Sequence, residues 1–365
     1  MPTRYVGPGG NDGNTGLSWA LRKLTLTGVE ASPVAAGDTV YVGPGTYRET
    51  LTCAVSGGAG NPITYIGDYT GANTDGVGGV VRITGSDNDQ TATRNNCISA
   101  NAKTYRSFTG FVLDGCVQAV VAVAGTVSNW TISECYVLGA GAAGGSGFIF
   151  SGALSNVVIQ DCFMMSGGTN NSAWIRLGSA AQASSGNYVQ NCMCIGAAYG
   201  MLIYSSGTTV RNCVLMCPRT IGIYADCPAG QSIAVNNCVL YGGGVALQAG
   251  ALGELVEDYN NIYGANTART NVNVGANSNA YPPLFDSRWF FELVNGGRMI
   301  SPFDLASYSQ LVNVAGWLPT ATDMRGTAAI GGVREWGALE YDPTLLIESA
   351  GGGAVSISPY RGAIG

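Results

Sequence analysis

The chain has 365 residues and a net charge of −6, and only 11% of it is charged, against about 25% in an ordinary globular domain. It has two lysines, Lys23 and Lys103, and no histidine. That balance excludes phosphate-led nucleic-acid binding and every mechanism that needs a histidine base.

Glycine, 55 residues, is about double its usual share and shows no collagen period. A surface of Gly, Ser, Thr and Asn suits stacked strands joined by many turns. Eleven cysteines, an odd number with no CxxC pair, argue against a disulfide framework and against zinc. The start, "MPTRYVGPGG", has neither a charged nor an apolar leader region. Synthesis in the cytoplasm without a signal peptide is the expectation, and no apolar run is long enough to cross a membrane.

In chain order, "YVGPG" occurs at Tyr5–Gly9 and again at Tyr41–Gly45. Each copy reads as a strand and a tight turn, at corresponding places in a repeating architecture. Between them lie "GLSW" (Gly16–Trp19) and a short helix expected over Ala20–Leu26. "NPITYIGD" (Asn61–Asp68) and "VVRITGSD" (Val80–Asp87) read as the next strands. Seven segments then align on Cys116, Cys135, Cys162, Cys192, Cys213, Cys238 and Ile262. The runs between them alternate with period 2, not 3.6. A loose period of 19–30 residues made of short strands predicts an all-β parallel β-helix solenoid. The cysteines are expected as a buried, reduced column. The preceding Asp161, Asn191, Asn212 and Asn237 are expected at turns.

The ends strengthen this reading. "YVGPGGNDGNTGLSW" with "GDTVYVGPGTYRETL", and "YPPLFDS" with "DMRGTAAIGGVREWGALEY", resemble the opening and closing segments of pectate-lyase-like, right-handed parallel β-helix proteins. The resemblance spans about residues 4–342. It implies an N-terminal cap and first strands over 1–52, coils over 53–265, closing coils and a C-terminal cap over 266–343, and a Gly-rich tail over 344–365 that could dock a partner. It implies no single activity, because the fold hosts lyases, hydrolases, adhesins and phage spikes.

Catalytic motifs of the family are not legible. The "RxPxxR" pattern is absent, with Arg211 and Arg219 at the wrong spacing. "NTD" at Asn73–Asp75 sits in a Gly-rich stretch and reads as a loop. No catalytic residue is assigned, although a carboxylate pair assembled across coils, for instance Asp226 with a neighbour, stays open. Asp87 and Asp89, or Asn11 and Asp12, are candidate oxygen ligands for Ca²⁺, without a full calcium-loop pattern.

Aligning "GFIFSG", "AWIRLG", "MLIYSS", "IGIYAD" and "VALQAG" places Ile149, Ile175, Ile203, Ile223 and Leu247 inward. Phe148, Phe150, Trp174, Arg176, Leu202, Tyr204 and Tyr224 then share an outer face that a partner could cover. The expected function is a non-enzymatic virion-associated or glycan-binding β-helix protein, a tail spike, fibre or decoration protein. Its partners would be copies of itself, as a trimer, other virion or surface proteins, or a polysaccharide. The alternatives are a polysaccharide lyase or glycoside hydrolase with a non-standard site, and a cell-surface adhesin.

Overall fold

The computed structural model describes residues 2–32, 34–138, 146–165, 173–216, 218–251 and 253–281. Most of the expected closing region 266–343, and all of the tail 344–365, lie outside these residues.

Each coil gives one strand to each of three sheets. In one coil these are Thr208–Arg211, Val214–Met216 and Ile221–Ala225. Every strand pairs in parallel with its equivalent one coil on, as Thr209 does with Ala234, Leu215 with Leu240 and Ile223 with Leu247. Among the described residues sheet 1 has ten strands, and sheets 2 and 3 nine each. Here sheet 2 follows sheet 1 within a coil, and sheet 3 follows sheet 2. The architecture is the expected parallel β-helix. Inward side chains of all three sheets form one continuous core from Val6 to Val272.

The repeated pentapeptide marks two adjacent rungs of sheet 1. Tyr5 lies opposite Tyr41, and Val6 opposite Val42. The shared glycine has a reason too. A Cβ at Gly7 would lie 2.3 Å from the Trp19 ring, and one at Gly43 2.4 Å, so both glycines make the seat for that indole.

The capping helix runs over Leu26–Ala31, not Ala20–Leu26; Trp19–Leu21 forms only a 3-10 turn. Residues between are taken up in pairing, with the Lys23 amide donating to Tyr5 O at 2.9 Å. The helix restarts at Thr25, whose hydroxyl accepts from the Gly28 amide at 2.8 Å. Glu49 accepts from the Leu26 and Thr27 amides at 2.8 and 2.9 Å, a carboxylate at the positive helix end. Leu26 and Val29 close the end of the core. Glu30 is buried beside them and pairs with the fully buried Arg106 at 2.6 Å. It also accepts from the Tyr65 hydroxyl at 2.6 Å and the Ala54 amide at 3.0 Å.

All of the column cysteines are buried and free, and Cys135, Cys162, Cys192, Cys213 and Cys238 occupy equivalent slots. Their thiols lie 3.1–3.3 Å from the carbonyl two residues earlier. Two members of the expected column are out of phase. Ser133 aligns with Thr109, so the slot below Cys135 belongs to Phe111, while Cys116 lies 2.9 Å from Cys97. Asn236 aligns with Asp258, so the slot above Cys238 belongs to Asn260, and Ile262 instead aligns with Leu240.

The Asp/Asn turn expectation holds. Asp161, Asn191, Asn212 and Asn237 have φ of 52–55°, a left-handed conformation these residues tolerate best after glycine. Their side chains also bond one another, with Asn191 donating to Asp161 at 3.0 Å, Asn212 to Asn191 at 3.2 Å and Asn237 to Asn212 at 2.8 Å.

Candidate functional site

The outer face of sheet 3 carries the candidate site, in a register partly different from the expected one. Phe148 lies opposite Val121 and Ile175, and Phe150 opposite Val123 and Leu177. Both phenylalanines are fully buried. Ile149, opposite Ala122 and Arg176, points out. The expectation is therefore one residue out in this strand. Three consecutive large apolar residues fit either face in alternation, and the choice falls to ring packing: Phe150 meets the Trp130 ring edge-on at 5.7 Å. Trp174 is buried as well, 2% exposed, but the inward Ile175 beside it leaves it on the outer side of its strand, as expected. A Cβ on Gly147 would meet Trp174 O at 2.3 Å and the indole at 3.2 Å, so the two rungs can approach this closely only at a glycine. Ile175, Ile203, Ile223 and Leu247 are inward as expected.

Arg176, Leu202, Tyr204 and Tyr224 do face outward, all half-buried. Leu202 stands opposite Arg176 on one side and Tyr224 on the other. The Arg176 guanidinium lies 5.5 Å from the Tyr204 ring centre. Tyr204 meets Tyr224 edge-on at 5.9 Å. Arg176 donates to Gly178 O at 3.3 Å and forms no ion pair among the described residues.

Two acids complete the cluster. Ile203 pairs with Ala225 and Ala225 with Ala249, which stacks Tyr204, Asp226 and Gly250 on successive rungs. Glu254 begins the next turn and leans back over Gly250, its Oε2 accepting from the Ala251 amide at 3.0 Å. A Cβ added to Gly250 would stand 3.0 Å from Glu254 Oε2 and 3.2 Å from Asp226 Oδ1. The two oxygens thus flank one methyl-sized space and lie no more than about 6 Å apart, a limit that admits the roughly 5–5.5 Å of a retaining glycosidase pair. Gly250 is exposed and Asp226 and Glu254 half-buried, so the gap opens to solvent. Two neighbours feel both charges. Burial, then Asp226, Tyr204 and Glu254, push the Tyr224 phenol up. Burial, then Glu254 and Asp226, push the Cys227 thiol up to about 11.

Sequence reasoning singled out Asp226 but not its partner. Glu254 lies a full coil away, and only the rung-to-rung register and the bare backbone of Gly250 bring the two together.

The calcium candidates are engaged otherwise. Hydrogen bonds from Arg48 and Arg82 hold Asp89 down at about 2, and Asp87 pairs with Arg94 at 2.6 Å. Asp12 accepts from the Leu24 and Thr25 amides and the Thr25 hydroxyl at 2.7–2.9 Å, fixing the helix entry, while the Asn11 side chain accepts from the Gly13 amide at 2.8 Å. Among the described residues no three acidic or thiol groups converge as metal ligands do. The "NTD" segment is a self-bonded loop, in which Asp75 accepts from the Val77 and Gly78 amides at 3.0 and 3.1 Å.

No protein-family model and no curated protein matches the sequence. Solved structures do match. The pectate lyase Pel9A superimposes with a TM-score of 0.56 at 14% identity, over 94% of this chain and 97% of that one. The fold is a right-handed parallel β-helix. A rhamnogalacturonan lyase matches with a TM-score of 0.52 at 18% identity, over 72% of this chain and 74% of that one. The lacto-N-biosidase of Eubacterium ramulus matches with a TM-score of 0.50 at 12% identity, over 72% and 56%. At these identities the likeness is one of fold, and these fold neighbours are polysaccharide lyases and glycoside hydrolases.

Proposed function

We propose that the protein hydrolyses glycosidic bonds of a polysaccharide laid across the outer face of sheet 3, with Asp226 and Glu254 as its paired carboxyl groups. The observation that carries this reading is the close approach of those two acids over Gly250. One carboxylic acid would protonate the leaving oxygen while the other carboxylate attacks the anomeric carbon. Water then releases the glycosyl ester, with the first group now taking the proton. Sugar faces would rest on the Tyr204 and Tyr224 rings, and Arg176 supplies hydrogen-bond donors beside them. Tyr224 is held as a phenol by burial and by the two acids. As a phenol it can donate a hydrogen bond to the sugar.

This reading has more support than a non-enzymatic virion role. The charge-poor coils that suggested such a role do bring two acids together. The trimer argued from an aromatic outer face loses Phe148 and Phe150 to the core, and Trp174, though on the outer side, is already buried within the chain.

The test is release of reducing ends from a panel of neutral and acidic polysaccharides, with ultraviolet absorbance of unsaturated uronates measured in parallel. Asp226→Asn and Glu254→Gln should each lower hydrolysis by at least about 100-fold. Turnover that survives both substitutions would refute the assignment, as would products that are unsaturated uronates.

A further inference from the structure

Two thiols outside the regular column lie against each other. Cys97 precedes the sheet 3 strand Ile98–Asn101, and Cys116 follows the sheet 2 strand Val112–Asp114 one coil on. Both therefore lie in turns from sheet 2 to sheet 3, in adjacent coils. The lower turn is a long excursion, residues 85–97, and the upper one, residues 115–118, is short. The two sulfurs are 2.9 Å apart, and both side chains are fully buried. A disulfide bond is about 2.05 Å long. A shift of roughly 0.4 Å by each sulfur would close it, a small turn about each χ1.

The backbone around the pair permits that approach. A Cβ on Gly85 would lie 2.9 Å from Cys116 Sγ and 3.0 Å from its Cα, so the excursion can leave beneath Cys116 only at a glycine. The Thr93 and Arg94 amides donate to Gly85 O at 2.8 and 2.9 Å, and Arg94 O accepts from the Val117 amide at 2.9 Å. These bonds hold both ends of the excursion against the upper turn. Cys97 Sγ lies 3.2 Å from both Ile83 O and Asp114 O. A thiol has one proton, a weak donor that can serve one of them, so little hydrogen bonding is lost when the proton leaves.

We propose that Cys97 and Cys116 are a site of oxidative modification, joined as a disulfide by exchange with a small-molecule disulfide. The Cys97 thiolate attacks one sulfur of the reagent, whose S–S bond breaks. The released thiolate takes up the proton that Cys97 lost. The Cys116 thiolate then attacks Cys97 Sγ in the mixed disulfide and expels the second thiolate, which is protonated in the same way. The two cysteines lose two electrons, and the reagent is reduced to two thiols. Burial pushes the Cys97 thiol up, so exchange proceeds when the excursion opens; its residues 87–91 are exposed. The bond then ties the base of the excursion to the next coil. It stays reduced in reducing surroundings and forms in oxidising ones.

The test incubates the native, reduced full chain with oxidised glutathione at pH 8, in urea below the unfolding midpoint. Free thiols are then blocked under denaturing conditions and peptides are mapped without reduction. The expected product joins the peptides carrying Cys97 and Cys116, two hydrogens lighter, and the other nine of the eleven cysteines are recovered as thiols. Its melting temperature should rise by roughly 5 °C, and dithiothreitol should reverse the rise. Cys116→Ala lacks the second sulfur, so it should stop at a glutathione adduct on Cys97 with no such rise. Recovery of Cys97 and Cys116 as thiols in the parent would overturn the proposal, as would a disulfide between column cysteines in their place. A Cys97 that takes up no glutathione in the Cys116→Ala variant would overturn it too, because the excursion would then not open to an oxidant.

Discussion

The register of the strand Ser146–Phe150 can be decided by truncating neighbours. Phe150 is fully buried, with Val123 below it and Leu177 above, and its ring meets Trp130. Phe150→Ala should cost about 3–5 kcal/mol, because transfer energy is lost and a cavity is left between rungs that cannot collapse onto it. Loss of the aromatic contact adds about 0.5–1.5 kcal/mol, placing the effect at the upper end. Ile149 lies between the same rungs but faces outward and is half-buried. Ile149→Ala should cost about 1 kcal/mol, the part of its apolar area that is covered. Urea unfolding followed by circular dichroism, with hydrogen exchange to separate local from global opening, measures both. A larger loss for Ile149→Ala than for Phe150→Ala would place the isoleucine inward and overturn the register, and with it the alignment of Arg176 in the site.

Glu30→Gln leaves the buried Arg106 charge without its partner and should cost about 3–5 kcal/mol, read as faster exchange in the N-terminal coils; a loss below about 1 kcal/mol would show that the pair is solvated. Asn212→Ala removes two ladder hydrogen bonds and puts a Cβ at φ 52°, whereas Asn212→Gly removes only the bonds, so the glycine variant should be the more stable by about 1 kcal/mol; equal stabilities would remove the backbone argument. Cys227 should label slowly at pH 8 and faster as pH approaches about 11. Negative neighbours oppose its thiolate, so Asp226→Asn with Glu254→Gln should lower its pKa and speed labelling at fixed pH, as followed by peptide mass spectrometry; an unchanged rate would mean that the acids are not beside it.

Period-2 alternation, glycine-bounded runs and the Asn-Cys repeat are local properties, so the solenoid, the left-handed Asn turns and the buried thiols were written in the sequence itself. The repeated "YVGPG" even located two adjacent rungs. Three things were not local. Facing was ambiguous wherever three large apolar residues ran together, as at Phe148–Phe150, because a one-residue slip exchanges the faces and only ring packing against Trp130 chooses between them. Phase was ambiguous at the ends of the cysteine column, where Phe111 and Asn260 fill the slots that Cys116 and Ile262 seemed to hold. The meeting of Asp226 with Glu254 depended on how many residues each turn contains, since coil length sets which side chains share a rung. A glycine between them, unremarkable among 55, leaves the gap that makes the two carboxylates a pair.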